Sequence, residues 1–240
     1  YDAARNLGYF LLTVNTGNER EPENQEIAAL RQYRVDGFLY AMMYHRVVEI
    51  PAELEGSPTV VVDSEDENRK IPSIYPDDEM AGYDATNRLI QAGCKRIVYY
   101  GSSITIIAQG ERFAGYRRAL ADAGIPFDEQ LVVNVEEATN AASEAGRVFD
   151  EIKPDGIFCF NDVRATFIYE AARERGVRIG TDVSVISIDN QPLIMDVLKP
   201  ALTTLELPHY EMGFEAVRQL VAMIDDEAAT ESLARSEDSI

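Results

Sequence analysis

The stretch Pro154-Asp155-Gly156-Ile157-Phe158-Cys159-Phe160-Asn161-Asp162 is a short apolar run that stops abruptly at two polar side chains. Such a run reads as a strand buried on both faces that delivers Asn161 and Asp162 to its carboxyl end. The carboxyl ends of parallel strands are where open α/β sheets bind ligands. Apolar residues then recur at helical spacing over residues 163–175, with Asp162 placed as the N-cap and Gly176 as the stop.

The same alternation runs along the chain. Residues 1–7 read as the end of a helix closed by Gly8, and 9–15, 35–41, 59–63, 96–101, 131–133 and 183–188 read as strands. Helices are expected over 22–34, 79–91, 111–123, 139–152 and 210–224, followed by an acidic tail from Asp225. Roughly ten strands are too many for one compact sheet. The expectation is therefore an α/β protein of two Rossmann-like three-layer subdomains, with mostly parallel sheets and a cleft between them. Irregular stretches at 102–110 and 199–204 are the expected crossings. This assigns residues 1–101 plus about 205–225 to one subdomain, and 102–204 plus about 233–240 to the other.

Charge narrows the partners. With 22 Lys and Arg against 42 Asp and Glu, the net charge of −20 repels phosphate backbones and argues against nucleic-acid binding by this chain. Cys94 and Cys159 sit before and inside strands, which favours reduced structural thiols and a cytoplasmic setting over a bridge or a metal site. No apolar run approaches the roughly 20 residues that span a bilayer, so no membrane association is expected. His45 and His209 lack metal-ligand spacing and read as surface histidines. No GxSxG, P-loop, GxGxxG, HExxH or CxxC pattern is present, so neither a metal nor a cofactor is expected.

Several local patterns fall in one order: Arg34-Val35-Asp36-Gly37; Asp77-Asp78 with Ala81-Gly82-Tyr83 and Ala85-Thr86; Gly93-Cys94-Lys95-Arg96-Ile97; Arg112-Phe113-Ala114-Gly115-Tyr116; Phe160-Asn161-Asp162; Val185-Ile186-Ser187-Ile188-Asp189-Asn190; and Pro200-Ala201-Leu202-Thr203-Thr204 with Met212-Gly213. Taken together they resemble the effector-binding core of the LacI/GalR family of bacterial transcription regulators, which shares the fold of periplasmic sugar-binding proteins. Cys94 stands where the family usually has His. The closing apolar strand is matched only poorly by residues 232–236, and the family's amino-terminal helix-turn-helix and first core strand are expected ahead of Tyr1.

The resemblance suggests a site. Arg112 is expected to open a helix, where the dipole disfavours a cation, so a partner recruits it: the effector, or in the plainer reading a surface ion pair with Glu111 or a neighbouring acid. Asn161 offers donor and acceptor to a polyol, or caps the next helix; Asp189 binds effector, or forms an Asx turn with Asn190. Asp77 and Met80 correspond to the opposite lip of the cleft, or simply start a helix. Glu137 falls where relatives place a ligand-stacking aromatic.

The resemblance thus implies a non-catalytic, repressor-type regulator core: a small polar effector, a sugar or derivative, alters operator binding through an amino-terminal head. A homodimer is expected through residues 1–7 and the helix after Asp162, where Phe167 and Ile168 are not expected to share one core. The alternatives are a sugar-binding protein serving a transporter and an enzyme on the same scaffold.

Overall fold

The computed structural model describes residues 1–17, 19–136 and 140–237. The elements in chain order are α1 (Asp2–Asn6), α2 (Arg20–Gln32), β1 (Phe38–Ala41), β2 (Val47–Val48), β3 (Thr59–Val62), β4 (Glu65–Asp66), β5 (Ser73–Ile74), α3 (Asp78–Gln91), β6 (Ile97–Ser102), α4 (Ile107–Asp122), β7 (Val132–Val135), α5 (Ala141–Arg147), β8 (Gly156–Cys159), α6 (Asp162–Glu174), β9 (Ser184–Asp189), α7 (Pro192–Val197), β10 (Thr203–Glu206) and α8 (His209–Glu237). The chain divides into two compact units, residues 1–76 with 208–240 and residues 77–207.

In the first unit β1, β3 and β5 form a parallel sheet in the order β1-β3-β5, and β2 pairs with β4. Val60 and Val61 are fully buried, as the apolar run of β3 requires, because both faces are covered. Ala216 and Leu220 of α8 pack on Val60, while Ile27 of α2 and Leu54 pack with Phe38. Gly37 is closely approached where β1 begins: a Cβ there would lie 2.8 Å from Leu220 Cδ1 and 3.0 Å from the Pro58 carbonyl oxygen. His45 is buried, against the surface position expected, with Nε2 3.2 Å from Glu65 Oε1 and its ring stacked on Tyr75.

The second unit is a five-stranded parallel sheet in the order β10-β9-β8-β6-β7. The chain moves outward from β6 to β7, then returns to add β8, β9 and β10 on the other side. The switch point therefore lies between β6 and β8. Side chains alternate with the period of two that a covered sheet demands. Val98, Tyr100, Ile157, Cys159 and Val185 enter the core under α5 and α6, while Ile97, Tyr99, Phe158, Ile186 and Ile188 enter the core under α3 and α4. Helices α3 and α4 meet at glycines. A Cβ on Gly82 would lie 2.2 Å from Arg112 O, and one on Gly115 2.0 Å from Glu79 O.

Several expectations are corrected. The first unit ends at Pro76, because β6 is a central strand of the second sheet rather than the last strand of the first; the return falls after Leu207, because β10 pairs with β9. Residues 9–15 form no strand despite their apolar pattern: among the described residues none pairs with them in a ladder, and Phe10 is 99% exposed. Helix α4 starts at Ile107, ahead of the expected 111, and helix 139–152 is α5 followed by a π-helical turn over Val148–Ile152. Helix α8 runs on through the expected tail to Glu237 within the first unit, so residues 233–237 do not join the second. Phe167 packs against the same core as Ile168, which removes the reason for turning one of them outward. No helix among the described residues is long and apolar enough to cross a membrane.

Candidate functional site

The carboxyl ends of β6, β8 and β9 bring together Ser102, the Phe160-Asn161 corner and Asp189 at the switch point. Helix α4 adds Arg112. It lies in the second turn rather than at the helix start, and its side chain is buried rather than on the surface, because α4 presses onto α3 at Gly82. Arg112 Nε donates to Asp78 Oδ1 at 2.7 Å, Nη1 donates to the Phe160 carbonyl at 2.7 Å, and the guanidinium lies 4.5 Å from the Phe160 ring centroid. Asp78 is itself fully buried. Desolvating two such charges costs several kcal/mol per ion, so the pair adds little net stability and instead fixes the fork in direction.

Asp189 Oδ1 lies 4.0 Å from Arg112 Nη1, too far for a direct hydrogen bond and wide enough for an inserted oxygen to contact both. Burial pushes the Asp189 carboxyl up to about 6; the charges of Asp162 and Asp78 add to this, and Arg112 and the Gln191 amide oppose it. Its backbone is at φ +124° and that of Asn190 at φ +55°, conformations costing on the order of 1–3 kcal/mol each for side-chain-bearing residues.

The corner is held by Asp162. Its Oδ2 accepts the Gln191 backbone N–H at 2.7 Å, and its Oδ1 accepts the Thr204 hydroxyl at 2.7 Å and the Ser187 hydroxyl. Thr204 Oγ1 in turn accepts Asn190 N at 3.2 Å, and Gln191 Nε2 donates to Asp189 Oδ2 at 3.0 Å. Asp162 is thus a hub between β9, β10 and the turn into α7, not the N-cap of α6. The cap is Asn161, whose Oδ1 accepts Arg164 N at 3.1 Å.

Of the site residues read from sequence, the fold brings Arg112 and Asp189 together and places Asn161 beside them, next to Phe160. Asp77 caps α3 through Met80 N at 2.8 Å, and Met80 is exposed with its sulfur 3.8 Å from Arg118 Nη2; both follow the plain helix-start reading. Glu137 lies outside the described residues. Sequence reasoning passed over Asp78, Asp162 as a hub, Arg164, Ser187 and Thr204. Two of these carried a visible signal: Ser187 interrupts an apolar strand, and Arg164 is a cation in the first turn of a helix. Cys94 and Cys159 are buried among apolar side chains, and burial pushes both thiols up, away from the thiolate form.

Residues 86–237 match the periplasmic binding protein-like domain family. The HTH-type transcriptional repressor PurR of Vibrio atlanticus is 34% identical over 224 residues, covering 91% of this chain and 66% of the repressor, so the chain spans just under two thirds of that relative. A crystal structure assigned to the LacI family of transcriptional regulators from Rhizobium etli superposes with a TM-score of 0.83 at 31% identity, covering 93% of this chain and 83% of that one. The complex of the regulator CelR with cellobiose superposes with a TM-score of 0.75 at 26% identity, covering 94% and 70%.

Proposed function

Because this chain belongs to the periplasmic binding protein-like family, among its LacI-type regulators, we propose that it is the effector-binding core of a cytoplasmic, repressor-type transcription regulator. The effector is a small polyhydroxylated molecule, a sugar or sugar derivative. The observation that carries this reading is the 4.0 Å gap between Arg112 Nη1 and Asp189 Oδ1 at the switch point of the second sheet. A sugar hydroxyl placed in that gap accepts from the guanidinium and donates to the carboxylate, which uses both of its hydrogen-bonding roles. Asn161 adds its amide nitrogen. That CelR is known with cellobiose supports a carbohydrate. Operator binding belongs to an amino-terminal head, and linkage makes effector and operator affinities depend on one another in a homodimer. The regulators among its relatives favour this reading over a transporter's binding protein and over an enzyme.

The test is isothermal titration with a panel of mono- and disaccharides including cellobiose, sucrose and ribose, with sugar recovered unchanged after incubation. Asp189→Asn keeps the side-chain volume and is expected to weaken binding by about 1.5–3 kcal/mol, the worth of a hydrogen bond to a charged group. Binding that is indifferent to Asp189→Asn would move the effector site elsewhere, and turnover of the sugar would revive the enzyme reading.

A further inference from the structure

Arg164 is a cation in the first turn of α6 and only 3% exposed. Both facts count against it, since the helix dipole is positive there and a buried charge loses its hydration. What the side chain achieves is a three-way bridge. Nε donates to the Gly101 carbonyl at 3.2 Å, Nη2 to Ser102 Oγ at 2.8 Å and Nη1 to Asn161 Oδ1 at 3.4 Å, and the guanidinium sits 5.2 Å from the Phe160 ring centroid. Gly101 and Ser102 end β6, and Phe160 and Asn161 follow β8. Arg164 therefore fastens the two strands that part at the switch point.

The bridge has a consequence for Asn161. Its Oδ1 faces two groups that can only donate, the backbone N–H and the Nη1 of Arg164, so a flipped amide would set N–H against N–H. The side chain is fixed with its oxygen inward and Nδ2 as the group left over.

From this geometry, and resting on the effector site proposed above, we infer that Arg164 is a positioning residue: it locks Asn161 so that only the amide nitrogen is offered, which restricts that position to hydrogen-bond acceptors of the effector. Arg164 does not contact the effector itself. Arg164→Met keeps the length and the backbone cap but removes the second donor, so the amide is free to tilt.

Two measurements decide the matter. In the 15N-labelled chain, the Asn161 side-chain amide resonances are identified by their loss in Asn161→Asp, which keeps a capping oxygen. They are expected to shift in Arg164→Met and also in Arg164→Lys, which keeps the charge without the fork; unmoved resonances overturn the inference, and no effector is needed to see it. In titrations with cellobiose, sucrose and ribose, Arg164→Met is expected to weaken whichever sugar binds by about tenfold, and to have no such effect in an Asn161→Ala background. An equal loss in both backgrounds would mean that Arg164 acts on the fold alone and would overturn the inference. Should Arg164→Met not fold, Arg164→Lys serves in both comparisons. If the unmodified chain binds none of the sugars, the carbohydrate reading fails while the resonances still decide the role of Arg164.

Discussion

The carboxylate of Asp162 accepts the backbone N–H of Gln191 at 2.7 Å, and the side chain of Gln191 returns a hydrogen bond to Asp189 at 3.0 Å. The residue after the helix cap thereby holds the strained turn on which the Asp189 carboxylate stands. Asp162 is fully buried and accepts from three donors. Asp162→Ala leaves the Ser187 and Thr204 hydroxyls and the Gln191 N–H without their acceptor, at about 1–3 kcal/mol for the buried Ser187 hydroxyl and less for the half-buried Thr204 and Gln191. Urea denaturation should show a loss of about 3 kcal/mol or more, whereas Thr204→Val, which leaves the carboxylate two donors and takes the acceptor from the Asn190 N–H, should cost less, about 1–2 kcal/mol. Equal losses would mean that Asp162 is not the hub.

Arg112 reaches its place because α3 and α4 touch backbone to backbone. A Cβ at position 82 would lie 2.2 Å from the Arg112 carbonyl oxygen, and its next contacts are also backbone, so nothing nearby can rotate away. Gly82→Ala should separate the helices, destabilise the second unit by about 1–3 kcal/mol, and lengthen the Arg112–Asp78 bond. At Gly110, on α4, a Cβ meets nothing within 4 Å, so Gly110→Ala should be neutral or slightly stabilising. Thermal denaturation of the two variants side by side checks both; equal stability would remove the steric argument.

Asp189 gives the site a pH dependence whose sign is fixed. Its folded carboxyl is pushed up to about 6 from an ordinary 3.8, so between these values the folded state binds more protons than the unfolded state, and stability falls as pH rises. The contribution is on the order of 2–3 kcal/mol, present below about pH 4 and lost above about pH 6. Asp189→Asn should flatten this part of the stability–pH curve measured by urea denaturation. Effector affinity should run oppositely, weakening as pH drops below 6, because the protonated group is a weaker acceptor without its charge. A stability curve unchanged by Asp189→Asn between pH 4 and 6 would place the titration elsewhere.

Some of this was legible in the chain itself. The run that became β8 could be read because burial on both faces leaves an unbroken apolar signature, and Asp189 could be read because it ends another such run. The roles of Asn161 and Asp162 were exchanged, since either residue type caps a helix, and only three dimensions bring Ser187, Thr204 and Gln191 onto the second of them. The partner of Arg112 is 34 residues away on a different helix, and no local pattern encodes that contact. The first boundary was misplaced because β6 has the composition of any buried parallel strand; pairing with β7 and β8, not sequence, assigns it to the second sheet. Residues 9–15 carry an apolar, strand-like composition whether or not a neighbour is there to pair with them.

Charge sets what this chain can do with nucleic acid. The chain carries −20, with 42 acids against 22 Lys and Arg, and seven of those cations already face an acid: Arg112 and Arg118 face Asp78 and Glu79, Arg147 faces Glu144, and Arg173, Arg175, Arg178 and Arg218 each face a neighbouring acid. Duplex binding draws much of its free energy from counterions released when phosphates are neutralised, and a surface of this sign releases few. In a low-salt anisotropy titration this chain alone should leave labelled duplex free at micromolar concentration. The same chain carrying the amino-terminal head proposed above should bind, with an affinity that falls as salt rises and shifts when effector is added. Salt-dependent binding by the chain alone would break the division between sensing and reading, while a headed protein indifferent to effector would leave the site without an output.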